Sequence, residues 1–486
     1  MDLPETPAST ALRGHTLRRL QSPSAVFESS GFLFFLGFLP FKTRAQCAIV
    51  CRAWRDAASS PCLWQDLDFS ESSLVCDAAL LGAARKASGQ LRLLNLTGQR
   101  SLSCRAVVEA LELNRNVREL TLDALEGLFP RPEDLSAIVG AAPSLRRVIT
   151  TLSCELEAVG QVLGEKEFAA VRLEALEVIF PRNIPWRTAD AMGALFDMVA
   201  THNASCKLSL ECSFNRICWD GAAKLADILR CNMLLTSVSL CSSYIGDAGA
   251  AQLAEGLEDN TTLTSMLLSN NALTFEGATT LSESFLSNSA LQHLSLSYND
   301  IGPEGAASLA RSFNWNATLT YLDLADNNIG VGGATALAEC LRSNRALTSL
   351  CLSTNSVGDE GVSALAESLL VNTTLCHLDL RRNGLSNTSA SHMADALSTN
   401  VTLTNLSLRD NFIDAGGASA LAQVLCRTLL STLDLAGNDI RDHGASFLAD
   451  AMATSDVLRR LHVENNGIGS VWQALLAARF QDRIVL

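Results

Sequence analysis

Leu291-Gln-His-Leu294-Ser-Leu296-Ser-Tyr-Asn299-Asp-Ile301-Gly302 is followed one period later by Leu319-Thr-Tyr-Leu322-Asp-Leu324-Ala-Asp-Asn327-Asn-Ile329-Gly330. Both stretches have the form L-x-x-L-x-L-x-x-N-x-I-G. The Asn recurs at 215, 271, 299, 327, 355, 383, 411, 438 and 466, with Ser243 in register, at intervals of 28 apart from one of 27 between 411 and 438. Leu at alternate positions turns one side of a short strand inward and leaves the intervening residues facing solvent. The Asn amide can bond backbone groups where the chain leaves the strand, satisfying donors that would otherwise be buried unpaired. A helical stretch such as Gly305-Ala-Ala-Ser-Leu309-Ala-Arg-Ser-Phe313 follows, with apolar residues at helical spacing and small ones where helix presses on strand. No unit can bury its apolar side alone, so the chain folds only as a stack.

A period of this size with this motif marks an α/β leucine-rich-repeat solenoid, a horseshoe of strand-helix units. Upstream the register continues in worn form through Pro181 (Leu173, Leu176, Val178), Ser153 (Leu145, Val148, Thr150), Leu125 (Val117, Leu120, Leu122) and Gln99 (Leu91, Leu94, Leu96), and ends at Ser72 (Trp64, Leu67, Phe69). That makes about fifteen units, regular over 207–486 and degenerate over 71–206. The one longer step holds Pro181-Arg-Asn-Ile-Pro185-Trp186, whose prolines predict a protruding loop.

Composition fits a large soluble solenoid: 486 residues, 48% apolar, 18% charged. Residues 1–23 read as a flexible tail; scattered apolar residues interrupted by Arg13, Arg18 and Arg19 do not make a signal peptide. The apolar run 31–41 is too short to cross a bilayer, so cytoplasm or nucleus is the expected compartment. Fifteen cysteines, an odd count without C-x-x-C, argue against both a disulfide framework and a zinc site, and Cys212 and Cys351 read as small apolar strand residues. The sequons at Asn260, Asn316 and Asn372 recur with the repeat and read as helix-to-strand loops. A formal charge of -14 excludes nucleic acid as the main partner and favours basic ones. Only five lysines occur, none after Lys224.

The segment ahead of the repeats reads Phe27-Glu-Ser-Ser-Gly-Phe32-Leu33-Phe-Phe35-Leu36-Gly-Phe38-Leu39-Pro40, then Cys47-Ala-Ile-Val50-Cys51-Arg-Ala-Trp54, then Leu63-Trp64-Gln-Asp-Leu67-Asp68. It resembles an F-box, the three-helix module that docks on a Skp-type adaptor of cullin-RING ubiquitin ligases. The resemblance implies a small helical domain over 24–70, with Phe27, Leu36, Leu39, Pro40, Val50 and Trp54 facing the adaptor. Two positions depart from the family: Phe27-Glu28 stands where it opens with Leu-Pro, and Arg44 replaces a Leu. A helical segment here would also cap the apolar end of the first repeat.

The resemblance implies that the solenoid is a substrate receptor, binding through side chains of its concave strand face. Outward positions between 209 and 297 are mostly Ser. The later units carry Tyr321, Asp323, Asp326, His377, Asp379, Arg381, Arg382, Arg409, Asp410 and Asp434, the candidate partner-binding patch. Positions 28 apart fall on neighbouring strands, which would bring Asp323, Asp379 and Asp434 to one face beside Arg381 and Arg409. Arg can grip a partner's carboxylates and Tyr adds contact area; the opposing reading is a solvated face in which Asp379, Arg381 and Asp410 neutralise one another. The acidic residues after each Asn, such as Asp247 and Asp359, read as helix N-caps.

No motif asks for a catalyst or a cofactor, so the expected protein is a non-enzymatic, monomeric adaptor with protein partners, and neither nucleic acid nor membrane among them. Two alternatives stand: a scaffold closed by a structural cap, and a GTPase-activating protein like that for Ran, whose repeats these also resemble, with Arg216 as its exposed arginine.

Overall fold

The computed structural model describes residues 61–122, 137–151, 174–179 and 207–486, apart from single positions at 71, 73, 74, 100, 139 and 232. The six adaptor-facing positions from Phe27 to Trp54, the tail over 1–23 and the loop around Pro181 and Pro185 lie outside the described residues. The chain divides into two compact units, residues 1–179 with 201–206 and residues 180–200 with 207–486.

The first unit contains β1 (Asp66–Asp68), β2 (Leu93–Asn95), β3 (Glu119–Leu122), β4 (Arg147–Thr151) and β5 (Ala175–Ile179), each parallel to the next. Trp64, Leu67, Phe69, Leu91, Leu94 and Leu96 are all buried, as the worn register demands. At the first of these turns Gln99 does the work of Asn: its amide donates to the carbonyls of Phe69 at 2.7 Å and Ser72 at 3.0 Å and accepts the Val75 N–H at 2.7 Å. β1 lies within the stretch assigned to the helical segment 24–70, so pairing with the repeats begins before residue 71.

The second unit runs through β6 (Lys207–Glu211), β7 (Leu235–Ser239), β8 (Ser265–Leu267), β9 (His293–Ser295), β10 (Tyr321–Asp323), β11 (Ser349–Cys351), β12 (His377–Asp379), β13 (Asn405–Ser407), β14 (Thr432–Asp434) and β15 (Arg460–His462). β16 (Ile484–Val485) adds an edge strand that the repeat period does not contain. The central residue of each three-residue strand, Leu in all but β8 where it is Met266, is buried and its two flanks face outward. Leu319, Leu322 and Leu324 show how one unit closes: each is at most 3% exposed, and full burial of such a side chain contributes roughly 1.5–3 kcal/mol.

Helices of 10 to 14 residues follow the strands from β6 to β14, and each packs on the next. The small residues in them serve that contact rather than the helix-to-strand one predicted from sequence. A Cβ built on Gly333, for example, would lie 2.9 Å from the Cβ of Ala306 and 3.3 Å from the Cα of Pro303 in the preceding helix.

Two asparagine ladders, one at each end of the strands, carry the backbone through its turns. In the first, Asn271, Asn299, Asn327, Asn355, Asn383 and Asn411 each donate to a carbonyl 31 residues earlier. Ser243 occupies the same buried position with a weaker set, donating at 3.3–3.4 Å. The second ladder, Asn260, Asn288, Asn316, Asn344, Asn372 and Asn400, joins each helix to the next strand. The sequon asparagines Asn260, Asn316 and Asn372 belong to it. They lie in the helix-to-strand loops, as read, and at no more than 8% exposed they act there as internal struts.

The acidic residues read as N-caps also prove different: they cap the helix of the following unit. The Asp247 carboxylate accepts the backbone N–H groups of Thr274 at 2.8 Å and Gly277 at 3.0 Å and the Thr274 hydroxyl at 2.7 Å. Asp359 does the same for Ser386, and Asn387 for Asp414 and Gly417. Where the capping position holds Phe275, Pro303 or Val331, the next helix opens instead on Gly302, Gly330 or Gly358, each at a φ near +63°. Glycine takes that conformation at no Cβ cost, although Arg441 holds the same helix-opening position at a φ of 54°.

Candidate functional site

Three rows of outward side chains cross the second unit at right angles to its strands. One runs Ser237, Ser265, His293, Tyr321, Ser349, His377, Asn405, Thr432 and Arg460; the next runs Ser239, Leu267, Ser295, Asp323, Cys351, Asp379, Ser407, Asp434 and His462. The third, just past the strand ends, includes Ser297, Ala325, Ser353, Arg381 and Arg409. Each strand contributes alternate residues to one face because side chains alternate along a strand.

Between β9 and β15 these rows line an open groove of about 520 Å³. Of the candidate patch, Tyr321, Asp323, His377, Asp379, Arg381 and Asp434 line it. Asp326, Arg382, Arg409 and Asp410 do not. Asp326, Arg382 and Asp410 precede the ladder Asn in a left-handed conformation, φ of 53°, 52° and 53°, which takes them off the strand alternation and into the turn. Tyr298, Cys351, Asn405, Ser407, Thr432 and His462 also line the groove. A search for charge passes over most of them, although Cys351 and Ser407 stand one period on either side of Asp379 and are found by register alone.

Within the second row carboxylates alternate with Cys351 and Ser407, and their environments differ. Asp379 is held by its own strand's Arg381, whose Nε lies 3.0 and 2.8 Å from the two carboxylate oxygens and whose Nη2 lies 2.7 Å from Oδ2. That hydrogen bonding keeps the Arg381 guanidinium even more firmly charged than usual. Asp323 accepts the Ser295 hydroxyl at 2.9 Å and the Ala325 N–H at 3.0 Å; Asp434 accepts the Ser407 hydroxyl at 3.3 Å and the Ala436 N–H at 3.0 Å. Neither forms an ion pair with a described residue.

Of the three residues that the opposing reading has neutralise one another, Asp379 and Arg381 pair and Asp410 stands apart from them. Asp410 instead takes Arg382 at 3.0 Å and Arg409 at 3.7 Å, and Glu464 takes Arg409 at 4.0 Å. The groove is thus neutralised at its centre and acidic at both ends.

Burial pushes up the Tyr321 hydroxyl, helped by Asp323, and raises the Cys351 thiol to about 12, helped by Asp379. Both remain protonated hydrogen-bonding groups, and a thiol kept from its thiolate is a poor nucleophile. Cys212, read as apolar filling, is fully buried, whereas Cys351, read the same way, is largely buried but reaches the strand face. The arginine considered for GTPase activation, Arg216, lies over the Tyr244 ring at 5.9 Å. Among the described residues no cluster of His, Cys, Asp and Glu is placed to hold a metal, and no helix is long and apolar enough to cross a membrane.

Residues 33–70 match the F-box-like family, and 287–310, 316–338, 343–366, 371–394, 399–422 and 428–449 match the Leucine Rich repeat family. The chain therefore combines an F-box-like segment with leucine-rich repeats in an α/β repeat solenoid, an organisation that supports a protein-interaction adaptor of the ubiquitin-ligase type. It is similar to a chain in the crystal structure of the Rad7 and Elc1 complex in yeast, at 16% identity over 83% of this chain and 94% of that one, with a TM-score of 0.44. It is also similar to Leiomodin-1 Actin-Binding Site 2, at 23% identity over 27% of this chain and 77% of that one, with a TM-score of 0.25. No curated protein matches it significantly.

Proposed function

We propose that the protein is the substrate receptor of an SCF-type cullin-RING ubiquitin ligase. Residues 24–70 dock a Skp-type adaptor through Phe27, Leu36, Leu39, Pro40, Val50 and Trp54, and the strand face of the second unit holds the protein to be modified. The observation that carries this reading is the F-box-like match over 33–70 directly ahead of repeats whose outward rows form a polar, aromatic-bearing groove. Tyr321, Asp323, His377, Asp379, Arg381 and Asp434 are its contact residues, with Asp326, Arg382, Arg409 and Asp410 as a charged rim. Such a surface suits recognition: its groups stand on strands fixed by the ladders, so little ordering entropy is lost on binding.

The decisive experiment is capture of the full chain on a purified Skp-type adaptor, with Trp54→Ala and Leu39→Ala as separate variants. Binding that both variants lose supports the receptor. Absence of binding by the unaltered chain leaves an interaction protein whose N-terminal segment only resembles the docking module.

A further inference from the structure

The second outward row is spaced for a particular kind of ligand. Asp323, Cys351, Asp379, Ser407 and Asp434 are direct register partners on consecutive strands, so each carboxylate is two strands from the next. At about 4.8 Å between strands, Asp323 and Asp434 stand roughly 19 Å apart, with Asp379 midway. A partner segment in the extended polyproline II conformation advances about 3.1 Å per residue with three residues per turn, so positions i, i+3 and i+6 share one face, six residues cover roughly 19 Å and three reach the midpoint.

The middle carboxylate already displays the ligand chemistry. Asp379 grips the Arg381 guanidinium through both its oxygens, whereas Asp323 and Asp434 are held only by a hydroxyl and a backbone N–H each. Tyr298 and Tyr321 stand at the Asp323 end and His462 beside Asp434. The tyrosine rings offer a surface for the stem and the charge of an incoming arginine or lysine.

We propose that this groove takes a polyproline II segment of a protein partner laid across the strands, with basic side chains at positions i and i+6 meeting Asp323 and Asp434, and an acidic or amide side chain at i+3 meeting Arg381. This rests on the reading of the strand face as the partner site and gives that site a ligand class. Charge complementarity selects the occupant: both ends of the groove present unpaired carboxylates, on a chain of formal charge -14.

The test is fluorescence anisotropy of the full chain, at low ionic strength so that exposed pairs are not screened, with three synthetic peptides. One carries Arg at i and i+6 and Asn at i+3; the second has the same composition with its two arginines adjacent; the third carries Glu at i and i+6 and Arg at i+3. The spaced basic peptide is expected to bind several-fold tighter than the clustered one. Asp323→Asn and Asp434→Asn should each weaken it about two- to fivefold, the size of a partly exposed ion pair, and together erase the preference for spacing while the melting curve stays unchanged. Equal affinity for the two basic peptides, tighter binding of the acidic one, or indifference to both Asn variants overturns the proposal. If it falls while a protein partner is still lost on reversing Arg381 and Arg409, the partner site stands and only its ligand class is wrong.

Discussion

The side-chain oxygen of Asn355 accepts the backbone N–H of Asn327, 28 residues earlier, at 2.9 Å, while its amide donates to Leu324 at 2.7 Å and Ser353 at 3.1 Å. One buried side chain thus satisfies polar groups in two repeats. Asn355→Ala should leave them without partners and cost about 2–4 kcal/mol, the sum of several unmade bonds. Glu339, 80% exposed on the helix between Asn327 and Asn355, should tolerate Ala within about 0.5 kcal/mol. Chemical denaturation of both variants checks the contrast.

Asp359 ties a repeat to its successor through Ser386 and Ser389. Desolvation tends to raise its carboxyl, but the hydrogen bonds from Ser386 and Ser389 outweigh it and leave it below the ordinary aspartate value. A depressed folded value means the stabilisation is complete above the unfolded aspartate pKa of about 3.9 and disappears as pH falls through the lower, folded one. Asp359→Ala should therefore cost about 1 kcal/mol near neutrality, and the gap from the unaltered chain should shrink below about pH 4. Because the cap serves the next unit, hydrogen exchange should quicken first in the helix Asn387–Leu397.

Asn316 offers a check on the second ladder. Its amide donates to Phe285 at 2.9 Å and Asn288 at 3.0 Å, and its oxygen accepts the Leu319 N–H at 2.9 Å. Asn316→Ala should cost about 1–3 kcal/mol and lower the denaturation midpoint; Asn316→Asp keeps the acceptor, loses both donations, and should fall in the same range. Unchanged midpoints would mean that the loop asparagines do not hold the turns.

The stack was legible in the sequence because it repeats: Leu322 and Leu324 announce a strand, and Asn327 at a fixed offset announces its turn. The second ladder was equally periodic yet easy to misread, because Asn-x-Thr at Asn260, Asn316 and Asn372 has a second meaning as a sequon. The direction of Asp247 was hidden for another reason. An acid in the first turn of a helix reads as a local cap, and nothing along the chain shows that its bonds go to Thr274 and Gly277 in the next unit. At the candidate site, register placed Asp323, Asp379 and Asp434 in one row, but the left-handed turn at Asp326, Arg382 and Asp410 withdrew those three from it. Counting charges along a strand cannot anticipate a φ of that sign.

Arg381 and Arg409 separate recognition from folding. Their third-row positions lie past the strand ends, both side chains are at least a third exposed, and their ion pairs with Asp379, Asp410 and Glu464 are surface pairs, each contributing about 0–1 kcal/mol. Reversing both to Glu should therefore change global stability by no more than about 1–2 kcal/mol, while placing two new negative charges beside Asp379 and Asp410. A protein partner that uses Arg381, or whose charges are arranged around the Asp379–Arg381 pair, then meets repulsion at the centre of the groove, and its capture should be lost. The full chain and the double variant are compared by pull-down and by thermal melting on the same preparation. Lost capture with a preserved melt places the partner on this face; lost capture with a collapsed melt, or capture that survives the reversal, removes the face from consideration.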